Sequence, residues 1–225
     1  NVYVWGKQPI YLSGMATSIF KMPAEFKQGK IVHIAAGDRF WVAITEEGKF
    51  YGFGYNNFKQ LELPQVVQMK MKSNTVKQLL AGEGVTGILF DNGEIYVWGS
   101  TLATRQDIVP LAYQGRVVHA EISPLNVVVL LDDGTIGVFG TDGNEISAIP
   151  TELTDGSVEV VDLTTSGRAA IALDSKGELH IWGSRMHGLL DIPAFEGKVV
   201  DLIGGKNNFG LLLDSGKVIY WGANH

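Results

Sequence analysis

Short apolar runs recur along the chain at Val42 to Ile44, Gly87 to Phe90, Val127 to Leu131, Ala170 to Leu173 and Gly210 to Leu213. Each is followed by an acidic, glycine-containing stretch: Glu46-Glu47-Gly48, Asp91-Asn92-Gly93, Asp132-Asp133-Gly134, Asp174-Ser175-Lys176-Gly177 and Asp214-Ser215-Gly216. An alternating segment then ends on an aromatic residue and a glycine. Strand, tight turn and alternating strand in that order predict β-hairpins, with Asp or Asn before Gly expected to supply the positive φ of the turn. The 3.6-residue periodicity of an amphipathic helix appears nowhere, so the expected class is all-β.

The closing pairs are Trp5-Gly6, Phe53-Gly54, Trp98-Gly99, Phe139-Gly140, Trp182-Gly183 and Trp221-Gly222, whose glycines lie 48, 45, 41, 43 and 39 residues apart. A drifting period of this length is that of propeller blades. A further strand signal precedes each hairpin at Ile31 to Ile34, Val76 to Leu79, Val117 to Ala120, Val160 to Leu163 and Val199 to Leu202. A weaker fourth strand is expected around Pro23, Pro64, Pro110, Pro150 and Pro193, because proline fits an edge strand better than a central one.

The prediction is a single domain over 1–225, a β-propeller of five blades with three to four antiparallel strands each. Its repeat units cover about 32–54, 76–99, 117–140, 160–183 and 199–222, with an extra strand at 2–6 that either closes the ring or is a spare. Radial packing covers the blade faces and protects the strand edges. Trp5, Trp98, Trp182 and Trp221 are therefore expected between neighbouring blades.

Composition narrows the function classes. Eighteen basic against twenty-four acidic side chains give a net charge of −6, which disfavours a nucleic-acid surface. No cysteine is present, so disulfides, thiolate catalysis and cysteine zinc sites are excluded. No apolar run approaches the roughly 18 residues that span a bilayer as a helix, so no membrane insertion is expected. Asn1 rather than Met opens the chain, and the expectation is of a processed or excised polypeptide.

The chain resembles the regulator of chromosome condensation repeat family over essentially its whole length. The best stretch is Val32-His33-Ile34-Ala35-Ala36-Gly37, then Val42-Ala43-Ile44-Thr45, Glu47-Gly48, and Phe53-Gly54-Tyr55-Asn56-Asn57-Phe58-Lys59-Gln60-Leu61-Glu62-Leu63-Pro64. It follows the family's strand, hairpin, aromatic-Gly and Asn-x-x-Gly-Gln-Leu-Gly loop in order. The resemblance implies a propeller, usually of seven blades, used as an interaction module or as an exchange factor for a small GTPase. The Gly-Gln-Leu-Gly loop survives as Lys59-Gln60-Leu61-Glu62 and is largely lost in the later repeats, and the family's His-Ser before the second strand is absent.

Positions that break the repeat on one end of the scaffold are candidates for function. Before the middle strand of each blade stand Asp38-Arg39-Phe40-Trp41, Glu83-Gly84-Val85-Thr86, Pro124-Leu125-Asn126-Val127, Gly167-Arg168-Ala169-Ala170 and Lys206-Asn207-Asn208-Phe209. From these a partner-binding patch of Arg39, Phe40, Trp41, Leu125, Asn126, Arg168, Lys206 and Asn207 is expected, with Phe40 and Trp41 alternatively packing between blades. The loops after each aromatic-Gly offer a secondary set: Tyr55, Phe58, Arg185 and Met186.

No catalytic, cofactor or metal motif stands out. His33, His119, His180, His187 and His225 form no ligand-spaced pair, no Gly-x-Ser-x-Gly occurs, and Gly82-Glu83-Gly84 lacks the spacing of a dinucleotide loop. The expected function is non-catalytic recognition of another protein through loops on one face, in a larger assembly such as a virion or cell-surface complex. An exchange factor for a small GTPase and a carbohydrate-binding propeller using Phe40, Trp41, Tyr55 and Phe58 are the alternatives.

Overall fold

The computed structural model describes residues 29–223. Within them lie fifteen strands in five separate three-stranded antiparallel sheets, each running in sequence order. The chain divides into two compact units, Asn1–Leu102 and Ala103–His225.

The first unit holds blade 1, with β1 (Ile31–Gly37), β2 (Phe40–Thr45) and β3 (Phe50–Gly54), and blade 2, with β4 (Val76–Ala81), β5 (Val85–Phe90) and β6 (Ile95–Gly99). A short helix, α1 (Gln65–Lys70), connects them. The second unit holds blade 3, with β7 (Val117–Ile122), β8 (Asn126–Leu131) and β9 (Ile136–Gly140). Blade 4 follows with β10 (Val160–Ser166), β11 (Ala169–Asp174) and β12 (Leu179–Gly183), then blade 5 with β13 (Val199–Gly204), β14 (Asn208–Leu213) and β15 (Val218–Gly222).

The middle strands are buried along nearly their whole length because both of their faces are covered. In the first unit Phe40, Val42 and Ile44 of β2 pack with Ile88 and Phe90 of β5 and Trp98 of β6. In the second, Val128 and Leu130 of β8 meet Ala170, Ala172 and Trp182 of blade 4, and Ile171 and Leu173 of β11 meet Phe209, Leu211 and Trp221 of blade 5. Alternate residues of one middle strand thus serve two neighbouring interfaces, which explains runs without polar positions. Trp98, Trp182 and Trp221 lie between blades as expected; Trp5 and the 2–6 strand lie outside the described residues.

Each interblade tryptophan also donates its indole N–H to a carbonyl of the connector before its blade: Trp98 to Gln60 at 3.1 Å, Trp182 to Ile146 at 3.0 Å, Trp221 to Leu189 at 2.9 Å. The connector is thereby pinned to the core, and a buried carbonyl is satisfied.

Three expectations are corrected. Among the described residues no fourth strand forms: Pro64 precedes α1, Pro150 precedes a 3-10 turn at Thr151–Leu153, and Pro110 and Pro193 lie in irregular connectors, while Pro23 lies outside the described residues. Proline's fixed φ and missing N–H suit the first turn of a helix at least as well as an edge strand. The helix α1 is itself unforeseen, being only six residues long. The hairpins use three-residue loops in which glycine alone takes positive φ, as at Gly48, Gly93, Gly134, Gly177 and Gly216, and no Asp or Asn does. The acidic residue acts through its side chain instead: Asp174 Oδ1 accepts the amides of Lys176 and Glu178 at 2.9 and 2.8 Å.

Every first strand carries a register break after its first residue, at Ile31/His33, Val76/Gln78, Val117/His119, Val160/Asp162 and Val199/Asp201. The skipped valines Val32, Val161 and Val200 are left exposed.

Candidate functional site

The two ends of a blade are built differently. At one end, the turn end, the hairpin loop meets the chain entering the first strand, as when Ser175 N–H donates to the Glu159 carbonyl at 2.8 Å and Asp214 N–H to the Lys198 carbonyl at 2.9 Å. At the loop end, the turn before the middle strand meets the chain leaving the third strand. Tyr55 N–H donates to Arg39, Ser100 to Gly84, Thr141 to Leu125, Ser184 to Arg168 and Ala223 to Asn207, at 2.8–3.0 Å. The two candidate sets therefore share one end of each blade.

In the first unit this brings the two sets into contact. The Arg39 guanidinium carbon lies 4.8 Å from the centre of the Tyr55 ring, and Tyr55 meets Phe58 edge-on at 6.0 Å. Asp38 Oδ2 accepts from Arg39 Nε at 3.1 Å. Phe58, 48% exposed, presents the free side of this Arg-Tyr-Phe ladder.

In the second unit, backbone contacts draw three basic loops together. Arg168 is bonded to Ser184, next to Arg185 and Met186, while a methyl group on Gly167 would lie 3.0 Å from the Lys206 carbonyl oxygen. Arg168, Arg185, Met186 and Lys206 are exposed, and Leu125 and Asn207 are partly buried.

Three expected patch members are corrected by burial. Phe40 (3% exposed) and Trp41 (5%) belong to the two faces of blade 1, Phe40 against blade 2 and Trp41 beside Phe53 at 4.7 Å. Asn126 (1%) donates to the Thr141 carbonyl at 2.8 Å and accepts from Asn144 at 2.6 Å, closing the loop end of blade 3. Phe40, Trp41 and Asn126 lie just inside their middle strands and are buried, whereas Arg39 and Arg168, just before theirs, are exposed.

Sequence reasoning passed over a further feature. The non-glycine residues with positive φ among those described are Arg39, Lys59, Arg105 and His187, with φ of 55–60°, and all four lie at the loop end. Lys59 and Arg105 directly precede Gln60 and Gln106, so the Gly-Gln backbone geometry persists in the second connector without its glycine. Gln106 is buried and donates to Ser123 and Asn126 carbonyls at 2.9 and 3.1 Å. Treating the motif glycine as a left-handed position, rather than as a letter to match, would have found them.

Electrostatics elsewhere follow from the repeat. Arg116 forks onto Asp132 at 2.9 Å and Asp133 at 2.7 Å at the turn end of blade 3. The Thr135 hydroxyl and amide, together with Arg116, outweigh desolvation and lower the Asp133 carboxyl to about 2. Burial pulls the His119 imidazole down, but Glu121 at 3.0 Å and the Asp162 charge more than offset it, so its pKa is raised. Asp174, Glu178 and His180 are the described residues whose ligand atoms could converge on a metal ion, lying within 4.8 Å of one another. Asp174 already holds two turn amides and His180 at 2.9 Å, which accounts for its burial. No helix among the described residues is long and apolar enough to cross a membrane.

Blades with this topology, with interblade tryptophans and aromatic-Gly termini, define a β-propeller. A family model, "Regulator of chromosome condensation (RCC1) repeat", matches residues 31–60. The human E3 ubiquitin-protein ligase HERC2 is 25% identical over 86% of this chain and 4% of its own length. The Bos taurus secretion-regulating guanine nucleotide exchange factor is 25% identical over 73% of this chain and 43% of its own. Prp20p from Saccharomyces cerevisiae, solved in a study of its binding to Gsp1p and histones, superposes with a TM-score of 0.68 at 18% identity, covering 85% of this chain and 57% of that one. Residues 31–60 thus match the regulator of chromosome condensation repeat, and the chain folds as a propeller similar to that of Prp20p. It spans less than two thirds of the length of each of these relatives.

Proposed function

We propose that the chain is a non-catalytic recognition module that holds a partner protein through the loop end of its blades. The observation that carries this is the Arg39-Tyr55-Phe58 ladder, in which both repeat-breaking loop sets converge on an exposed aromatic beside a stacked cation. Arg and aromatic residues are enriched among the anchors of protein interfaces. The loops are short and hydrogen-bonded to the scaffold, so little ordering entropy is lost on binding. Relatives point the same way: yeast Prp20 is solved bound to Kap60 and characterised for binding to Gsp1p and histones. A place in a virion or cell-surface assembly remains a refinement of this reading.

A second reading, regulation of a small GTPase by nucleotide exchange, is favoured by the similarity to the bovine exchange factor. The carbohydrate reading loses two of its four aromatics, Phe40 and Trp41, to the blade interior.

The test is affinity capture of partners from source material with the wild-type chain and with Arg39→Ala, Phe58→Ala and Arg168→Ala combined, followed by mass spectrometry. The expected outcome is a partner retained by wild type and lost by the variant, with unchanged melting. A partner retained by both would overturn the assignment to the loop end, and nucleotide release from a captured small GTPase would establish the second reading.

A further inference from the structure

Charge is not evenly spread between the two ends of blades 4 and 5. The turn end carries Glu159, Asp174, Glu178, Glu196 and Asp214 against Lys176, Lys198 and Lys217. The loop end of the same blades reverses the balance, with Arg168, Arg185 and Lys206 against Asp191 and against Glu145 of the connector that packs on blade 4. Among the described residues, no acidic side chain forms an ion pair with Arg168 or Arg185. In a chain of net charge −6, two unpaired, exposed arginines on one end are cations left for something outside the unit.

The backbone beneath them supports this. His187, next to Met186, sits at φ 59°, a conformation glycine adopts without cost and other residues adopt at about 1 kcal/mol. The same holds for Arg39, Lys59 and Arg105, so every described non-glycine residue in the left-handed region is a cation or an imidazole, and each is at a loop end. At the turn ends glycine fills the corresponding positions. Local stability is given up only where a basic or titratable side chain is presented. Met186, 62% exposed, adds a polarizable apolar surface beside Arg185. The loops are also fixed: Ser184 and Ala223 amides bind the Arg168 and Asn207 carbonyls, and Gly188 and Leu189 amides close a turn on Arg185 and Met186.

We infer that the loop end of blades 4 and 5 docks a carboxylate-rich segment of a partner protein, with Arg168 and Arg185 as paired forks for Asp or Glu and Met186 as the apolar contact. This rests on the reading of the loop end as the recognition face. Guanidinium groups suit carboxylates through two parallel N–H···O bonds, and unpaired ones meet a partner without first breaking an internal pair. Complementary charge also steers the encounter, so association weakens as salt rises.

The experiment uses the full chain and a fluorescein-labelled Glu-rich peptide containing leucines, followed by anisotropy at low and at physiological salt. The comparison probes are the same peptide with Gln for Glu and a single-stranded oligodeoxynucleotide. Wild type is expected to bind the Glu peptide, more weakly as salt rises, and to bind the Gln peptide at least about tenfold more weakly. Arg168→Glu with Arg185→Glu should lose the Glu peptide by at least about tenfold, Arg168→Gln with Arg185→Gln by less, and Arg116→Glu at the turn end should bind as wild type does. Absence of binding by wild type, equal binding of the Gln peptide, or binding unchanged by charge reversal would overturn the inference. So would an oligonucleotide that binds better than the Glu peptide, since phosphate would then be the preferred anion. If the captured partner is still lost on changing Arg39 and Phe58 while the Glu peptide fails to bind, this inference falls and the recognition reading stands.

Discussion

The turn ends of the five blades are alike, whereas their loop ends differ from one another. At the turn end each blade repeats the same three amide bonds, two within the hairpin and one to the chain entering the first strand, and the same positive-φ glycine. At the loop end the backbone bond from third strand to middle-strand turn also repeats, yet the residues it carries range from Arg39 and Gly84 to Leu125, Arg168 and Asn207. The difference teaches that backbone geometry is the scaffold's property and that side-chain identity there is free to serve something else. Substitutions that attack the shared backbone should be costly in every blade, and those that attack the exposed side chains should cost little.

The sharpest break comes from Gly140→Ala. A methyl group there would lie 2.5 Å from the Leu125 carbonyl oxygen, at φ +117°, so the turn and strand must part. Chemical denaturation should show a loss of at least about 2–3 kcal/mol.

Trp182→Phe tests the pinning of connector to core. The ring is largely kept, but the Ile146 carbonyl loses its donor in a buried site. A loss of about 1–3 kcal/mol is expected by the same measurement, and blade 3, which already has Phe139, should tolerate the converse change only by overpacking.

Lys59→Gly works in the opposite direction. Releasing a φ of 60° should raise stability, partly offset by the added freedom of glycine in the unfolded chain, for a net gain of up to about 1 kcal/mol in thermal or urea unfolding. A loss would mean that Lys59 contributes contacts outweighing its strain.

Acid titration separates the ends more gently. Asp133 is lowered to about 2 by Thr135 and Arg116. A carboxyl depressed in the folded state contributes stability above its ordinary pKa of about 4, and that contribution is lost as pH falls towards 2. Because the Arg116 pair is half exposed, Asp133→Asn should flatten this limb by less than about 1 kcal/mol. Arg168→Ala with Arg185→Ala should leave stability within about 0.5 kcal/mol of wild type at every pH.

Much of this architecture was legible in the chain because the repeat is printed five times. Apolar run, acidic turn and aromatic-Gly recur with the spacing that the sheets then adopt, and one chance match could not do that. The fourth strand failed at Pro64, Pro110, Pro150 and Pro193 because proline is compatible both with an edge strand and with a helical or irregular turn, and only the surrounding packing chooses. Phe40, Trp41 and Asn126 failed as surface residues because each already lies inside its middle strand, where both faces are covered and alternation gives no exposed side. Arg39 and Tyr55 were both suspected, but their stacking was not foreseeable: they are sixteen residues apart and meet only because a hydrogen bond joins the two loops.

By itself, then, the sequence determined the all-β class, the number of blades, the glycine turns and the tryptophans between blades, since each follows from a local pattern of polarity and backbone freedom. Tertiary structure decided which residues of each loop face water, which cations stay unpaired and where the two loop sets meet. Burial and pairing depend on neighbours distant in the chain, and local pattern carries no record of those distances.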